Sequence, residues 1–106
     1  MKAILGLMLF VLTGAALAQA PAGNAEAARS KISMCIGCHG IPGYKTVYPR
    51  VYHVPMITGQ SPLYIVNALQ AYKSGARSHP SMRGIAQSLS DKDMADLAAY
   101  YSSERQ

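Results

Sequence analysis

The chain has no tryptophan, one phenylalanine and only two cysteines in 106 residues. Two cysteines cannot build the multi-bridge framework of a small secreted scaffold, and without a second pair they do not make the usual closed zinc site. Charge is sparse at 14 % of residues, and acids are scarcer than bases, five against ten, for a formal charge of +5. Beyond Lys2, the bases are scattered over Arg29, Lys31, Lys45, Arg50, Lys73, Arg77, Arg83, Lys92 and Arg105. With no basic run interleaved with aromatics, nucleic acid is not the expected partner; a mildly acidic protein surface is. No segment alternates apolar and polar residues in the manner of a strand, and no repeat, linker or low-complexity tract divides the chain.

What is present begins with an apolar run. Lys2 gives a short positive start, Ala3 to Ala18 is apolar apart from Thr13, and Ala18-Gln19-Ala20 has the small-x-small form of a peptidase site. The run is short of the roughly 20 apolar residues of a spanning helix. Residues 1–20 are therefore expected to be an export signal cleaved after Ala20, with 21–106 as one mature domain in the periplasm. A domain of that size buries a limited core and gains from a disulfide, metal or cofactor.

Helical spacing predicts three helices joined by long irregular loops. The first runs from about Ala25 to Cys35, capped by Asn24, with Ala25, Ala28, Ile32 and Cys35 on one stripe. Residues 39–60 carry Gly40, Pro42, Gly43, Pro49, Pro55 and Gly59 and read as loop. Ser61-Pro62 opens the second helix, with Ile65, Leu69, Tyr72 and Ala76 in register, and Gly75 marks its stop. A further loop follows, with a helical turn around Met82 to Gln87. The last helix starts at Ser90, with Asp93 three residues on, and buries Met94, Leu97, Ala98 and Tyr101. The class is all-α with substantial loop.

The chemistry lies in "MCIGCHG", residues 34–40. A disulfide between Cys35 and Cys38 would close a very short loop, where the gain from closure is small, and would leave His39 without a role. A redox dithiol belongs at a helix start after a strand, and no strand precedes Cys35. Zinc would need His53 and His79 as distant recruits. C-x-x-C-H uses all three residues: two thioether bonds from Cys35 and Cys38 to haem vinyl groups, with His39 held beneath the iron. One covalent haem c is the expected cofactor.

The sixth iron position decides the function. Methionine opposite histidine fills both axial sites and raises the potential, whereas an open position permits ligand binding or peroxide chemistry. Met34 adjoins Cys35 and cannot reach the far face. Met94 lies in the apolar stripe of the last helix, and Met56, in "VPMITGQ", packs as an apolar wall. Met82, in a loop stiffened by Pro80, is the favoured ligand; His53 and His79 are the remaining candidates.

With these motifs in hand, the chain resembles a class I c-type cytochrome, close to the small bacterial monohaem members and to single halves of the dihaem tandem forms. The likeness covers about 25–102 and rests on "CIGCHG", "VPMITGQ", "YIVNALQAYKSGAR", "HPSM" and "LSDKDMADLAAYY". It implies a small fold of three to four helices wrapped around one haem, with His39 and Met82 as axial ligands. It also implies crossed first and last helices, with Ala27 or Ala28 against Leu97 or Tyr100; the segment "YKTVYPRVY" departs from the family pattern, so the carbonyl that orients His39 is left unassigned, with one near Pro49 as the candidate. The function then expected is single-electron shuttling between redox proteins such as a dehydrogenase or oxidase, not catalysis. The pocket would be built from Ile65, Leu69, Met94 and Leu97. Lys45, Lys73, Arg77 and Arg83 would steer docking. A gas- or substrate-binding enzyme would need Met82 off the iron. A haem subunit of a larger complex would use Tyr44, Tyr48 and Tyr52, with Val47 and Val51, as a contact patch; as a free monomer or weak dimer, the chain would use those side chains to wall in the haem.

Overall fold

A computed structural model describes residues 22–48 and 50–103. The expected signal segment and Pro49 lie outside the described residues. Asn24 accepts from the backbone N–H groups of Glu26 and Ala27 and opens a single turn, α1 (Ala25–Ala28). The expected helix to Cys35 does not run through. A turn at 29–32 interrupts it, and α2 (Ser33–His39) then carries the whole cysteine motif on helical backbone. Ile32, which caps α2, offers no side-chain acceptor.

The loop after α2 is not wholly irregular. Two-residue strands, β1 (Lys45–Thr46) and β2 (Tyr52–His53), pair antiparallel as Lys45 with His53 and Thr46 with Tyr52. Val54 N–H donates to Tyr44 O at 2.9 Å below them. Helix α3 (Pro62–Ser74) has the expected ends: Ser61 accepts from Tyr64 N–H, Pro62 sits in the first turn, and Gly75 closes it in the left-handed region at φ 87°. Helix α4 (Pro80–Gln87) is two turns where a single turn was expected. His79 is its N-cap, its ring accepting from Met82 N–H at 3.3 Å, so Met82 stands on a helix rather than in a loop.

The last helix, α5 (Asp91–Ser103), has the expected capping box: Ser90 N–H donates to Asp93 and Asp93 N–H to Ser90 Oγ, at 2.9 and 3.1 Å. It is the spine of the core. Ala28, Ile65, Val66, Leu69, Leu89, Met94, Leu97, Ala98 and Tyr101 form one buried cluster contributed by α1, α3, the α4–α5 junction and α5. The expected crossing of first and last helices is present. Ala28 is fully buried, and a Cβ on Gly23 would collide with the Ala95 carbonyl, so the chain before α1 lies directly on α5.

Ions fasten the same crossing. Asp96 is 1 % exposed and accepts from Asn24 N–H at 2.8 Å, Lys31 Nζ at 2.9 Å and Lys92 Nζ at 2.7 Å. Lys31 also reaches Asp93 at 2.6 Å. The Lys92 ammonium, the Asn24 amide and the Lys31 ammonium hold the Asp96 carboxyl far below the usual range. Lys31 and the Ser90 amide and hydroxyl lower Asp93 to about 2. Such a buried carboxylate is tolerable because every charge-stabilising partner is in place.

Candidate haem pocket

Residues three and four apart on a helix share a face, so α2 brings Cys35, Cys38 and His39 to one side. That side meets an apolar pocket. α2 contributes Met34, Cys35 and His39; α4 contributes Met82 and Ile85; α3 and α5 contribute Ile65, Leu69, Leu97 and Tyr101; Ile57 completes it. Cys38 stands one turn along α2, half-buried. Both cysteines are free thiols. Burial pushes the Cys35 thiol up, while the Tyr101 hydroxyl draws it down and Cys38 raises it slightly further.

His39 is oriented by backbone. Its Nδ1 lies 2.6 Å from Pro55 O. A carbonyl only accepts, so Nδ1 carries the proton and Nε2 keeps a free lone pair, the form of imidazole that binds metals. The candidate for the orienting carbonyl was near Pro49; here the carbonyl is supplied by Pro55, just past β2. Gly40 follows His39 tightly enough that a Cβ there would meet Ile36 O at 2.6 Å.

The other candidates separate by position. Met94 is fully buried in the core and lies outside the pocket lining, which corrects its expected place in the wall. Met56 is half-buried and also outside the lining. Met34, set aside by its adjacency to Cys35, does line the pocket, on the Cys35 side. His79, one of the remaining candidates for the sixth position, is the cap of α4, with its ring 4.6 Å from that of Tyr52. His53 is exposed in β2. The tyrosine and valine stretch does not wall the pocket: Val47, Tyr48 and Val51 are 81, 86 and 66 % exposed. Lys73, one of the steering candidates, donates to Leu89 O and so ties α3 to the start of α5.

Sequence reasoning missed two polar groups. Tyr101, placed in the α5 stripe as a core residue, also presents its hydroxyl at the pocket; that hydroxyl and Thr58 Oγ1 are buried without a hydrogen-bond partner. Burial, the neighbouring Cys35 and Tyr100 raise the Tyr101 phenol well above its ordinary range. The thiol and phenol are near enough to influence one another, yet no hydrogen bond of good geometry joins them. A polar end in an otherwise apolar stripe was visible in the sequence; its orientation was not.

Comparison with known proteins gives a consistent picture. The family model described as "Cytochrome c" matches residues 14–103. Cytochrome c-554(548) of Halomonas halodenitrificans is 42 % identical over 88 residues, 78 % of this chain and 99 % of that protein. Cytochrome c4 of Pseudomonas aeruginosa is 35 % identical over 105 residues, which cover 98 % of this chain but 49 % of that protein. Among solved structures, reduced recombinant cytochrome c4 from Pseudomonas stutzeri superposes with a TM-score of 0.63 at 35 % identity, over 79 % of this chain and 47 % of that one. The chain thus spans nearly all of the first relative and about half the length of each cytochrome c4.

Proposed function

The chain belongs to the cytochrome c family as a class I c-type cytochrome, a haem protein of electron transport, and on that premise we propose that it is a monohaem, periplasmic carrier with His/Met-ligated iron. Cys35 and Cys38 would hold the haem through thioether bonds, and His39 and Met82 would be its axial ligands. The signal would be cleaved after Ala20, leaving 21–106 as the working domain. One observation carries the ligand assignment: Cys35, His39 and Met82 line the same apolar pocket, with His39 in the tautomer that frees Nε2.

The residues fit the group. Apolar side chains suit a porphyrin face, an imidazole nitrogen and a thioether sulfur are donors iron accepts, and the orphaned Tyr101 hydroxyl is a polar contact awaiting a partner. The haem, when bound, supplies an iron that gains or gives one electron. The protein does the rest. Pro55 O fixes the His39 ring and increases its donor strength through Nδ1–H. Ile57, Ile65, Leu69, Ile85 and Leu97 exclude water and disfavour the more highly charged oxidised state, which raises the potential. Met82, held by the helix that His79 caps, would keep the sixth iron position closed to small ligands.

Absorption spectra of the matured protein test this. We expect a sulfur-to-iron charge-transfer band when oxidised and no response of the reduced form to carbon monoxide. Met82→Ala should abolish the band and admit carbon monoxide. If the wild type lacks the band and binds carbon monoxide readily, the carrier reading falls.

A second reading is favoured by the hairpin. Val47, Tyr48 and Val51 form an exposed apolar tip of the kind a subunit contact buries. In this reading the chain is the haem subunit of a larger redox complex, whereas a free carrier would meet an acidic partner through Lys45, Arg77 and Arg83. Gel filtration of the native protein, with partner reduction rates measured against ionic strength, separates the two.

A further inference from the structure

Where α3 ends and α4 begins, a cleft of about 360 Å³ opens, lined by Arg77, Ser78, His79, Arg83 and Gln87. Arg77 carries its guanidinium 5.0 Å over the Tyr72 ring. The Arg83 guanidinium carbon lies 4.0 Å from where a Cβ on Gly75 would stand, which puts Arg83 beside the C-terminal end of α3. Both arginines are exposed to solvent.

Neither meets a carboxylate among the described residues, and the acids there are engaged elsewhere. Glu26 pairs with Arg29, Asp91 accepts from Gln70, and Asp93 and Asp96 take Lys31 and Lys92. Two cations therefore line one concave surface with no counter-charge among the described residues. Guanidinium groups recognise tetrahedral oxyanions through paired N–H donors, and the Ser78 hydroxyl and Gln87 amide add neutral ones.

We propose that this cleft binds a small tetrahedral oxyanion of the phosphate or sulfate class, and that the bound ion lowers the reduction potential. Arg83 is the residue next to Met82, and His79 joins the cleft to the Met82 amide at 3.3 Å. An oxidised iron carries one more positive charge than a reduced one, so a dianion placed here stabilises the oxidised form. This second step rests on Met82 as axial ligand; binding itself does not.

The test is a titration of the intact, haem-loaded protein with inorganic phosphate, ionic strength held constant with chloride. Amide and guanidinium NMR shifts are followed in the reduced form, and the midpoint potential in parallel. Expected are saturable shifts at Gly75, Arg77, Arg83 and Gln87, a midpoint that moves negative to a plateau, and at least tenfold weaker binding with Arg77→Gln and Arg83→Gln combined. Arg83→Gln alone serves if the double variant does not fold. Shifts that follow only total ionic strength, or unchanged binding in the variants, would overturn the site. Saturable shifts with a stationary midpoint would overturn the coupling. An absent sulfur-to-iron band would instead remove Met82 from the iron, while phosphate binding stayed measurable.

Discussion

Asp96 shows how one side chain can govern acid tolerance. A carboxyl whose folded pKa is depressed adds stability that is present above its unfolded value near 3.8 and is lost as pH falls through the folded value. For Asp93 that folded value is about 2, and for Asp96 it lies lower still. The melting temperature should therefore decline from about pH 4 downward and keep falling past pH 2. Asp96→Asn keeps the shape and removes the charge, leaving Lys92 without its carboxylate and Lys31 with Asp93 alone. It should melt lower at neutral pH, with a shallower acid limb, in thermal scans across pH. An identical acid profile in the variant would assign acid sensitivity elsewhere.

The same scale shows why part of the pocket was legible. Cys35, Cys38 and His39 announce themselves because three reactive side chains at fixed spacing have few other uses. Pro55 does not: its contribution to His39 is a carbonyl, which every residue has, so nothing in the side-chain order marks it. Tyr101 was read from its helical register as a core residue, which it is, yet its hydroxyl is presented to the pocket.

Elements whose ends are made by side chains were readable. Ser61-Pro62 with Gly75, and Ser90 with Asp93, delimit α3 and α5 as the sequence predicts. Replacing Ser90 with Ala removes one half of the capping box and should cost about 1 kcal/mol, seen as a lower denaturant midpoint with an unchanged slope. Helix α4 was under-read because its cap is a histidine, a residue outside the usual capping set, and because Pro80 was taken as stiffening a loop when it occupies a first helical turn. The first helix was over-read. Its apolar stripe continues from Ala25 to Cys35, but the stretch from Arg29 to Ile32 turns to bring Ile32 and Cys35 against the core separately from Ala28. The two-residue strands are too short for any alternation to register.

For the whole molecule, the core cluster is closed on the pocket side by residues that also line the pocket: Ile65, Leu69, Leu97 and Tyr101. A haem seated in that pocket would be part of the core, as suits a small domain with little apolar surface to spare. Cys35→Ala with Cys38→Ala should give a chain without covalent haem, with far-ultraviolet circular dichroism well below that of the native protein and a broad, low melting transition. A native-like, cooperative melt in that variant would show that the helical packing stands alone. Two observations from opposite ends of the sequence made the overall architecture legible, the haem motif and the α5 stripe. The hairpin tip was less so, since an aromatic and aliphatic stretch reads equally as wall or as surface.

The bond from Asn24 to Asp96 joins residues 72 apart in sequence. Its consequence concerns time. Closing so long a loop is entropically slow, and contacts of this separation dominate the rate of folding. The Lys31 bridge to Asp96, across 65 residues, waits on the same event. Until the last helix has been made, neither bond has its acceptor, Ala28 has nothing to lie against and Gly23 has no carbonyl to rest on. The segment bearing the haem motif is made some fifty residues before that moment. The nascent chain thus passes through a period in which its two thiols and its histidine are reachable before α5 has packed against α1.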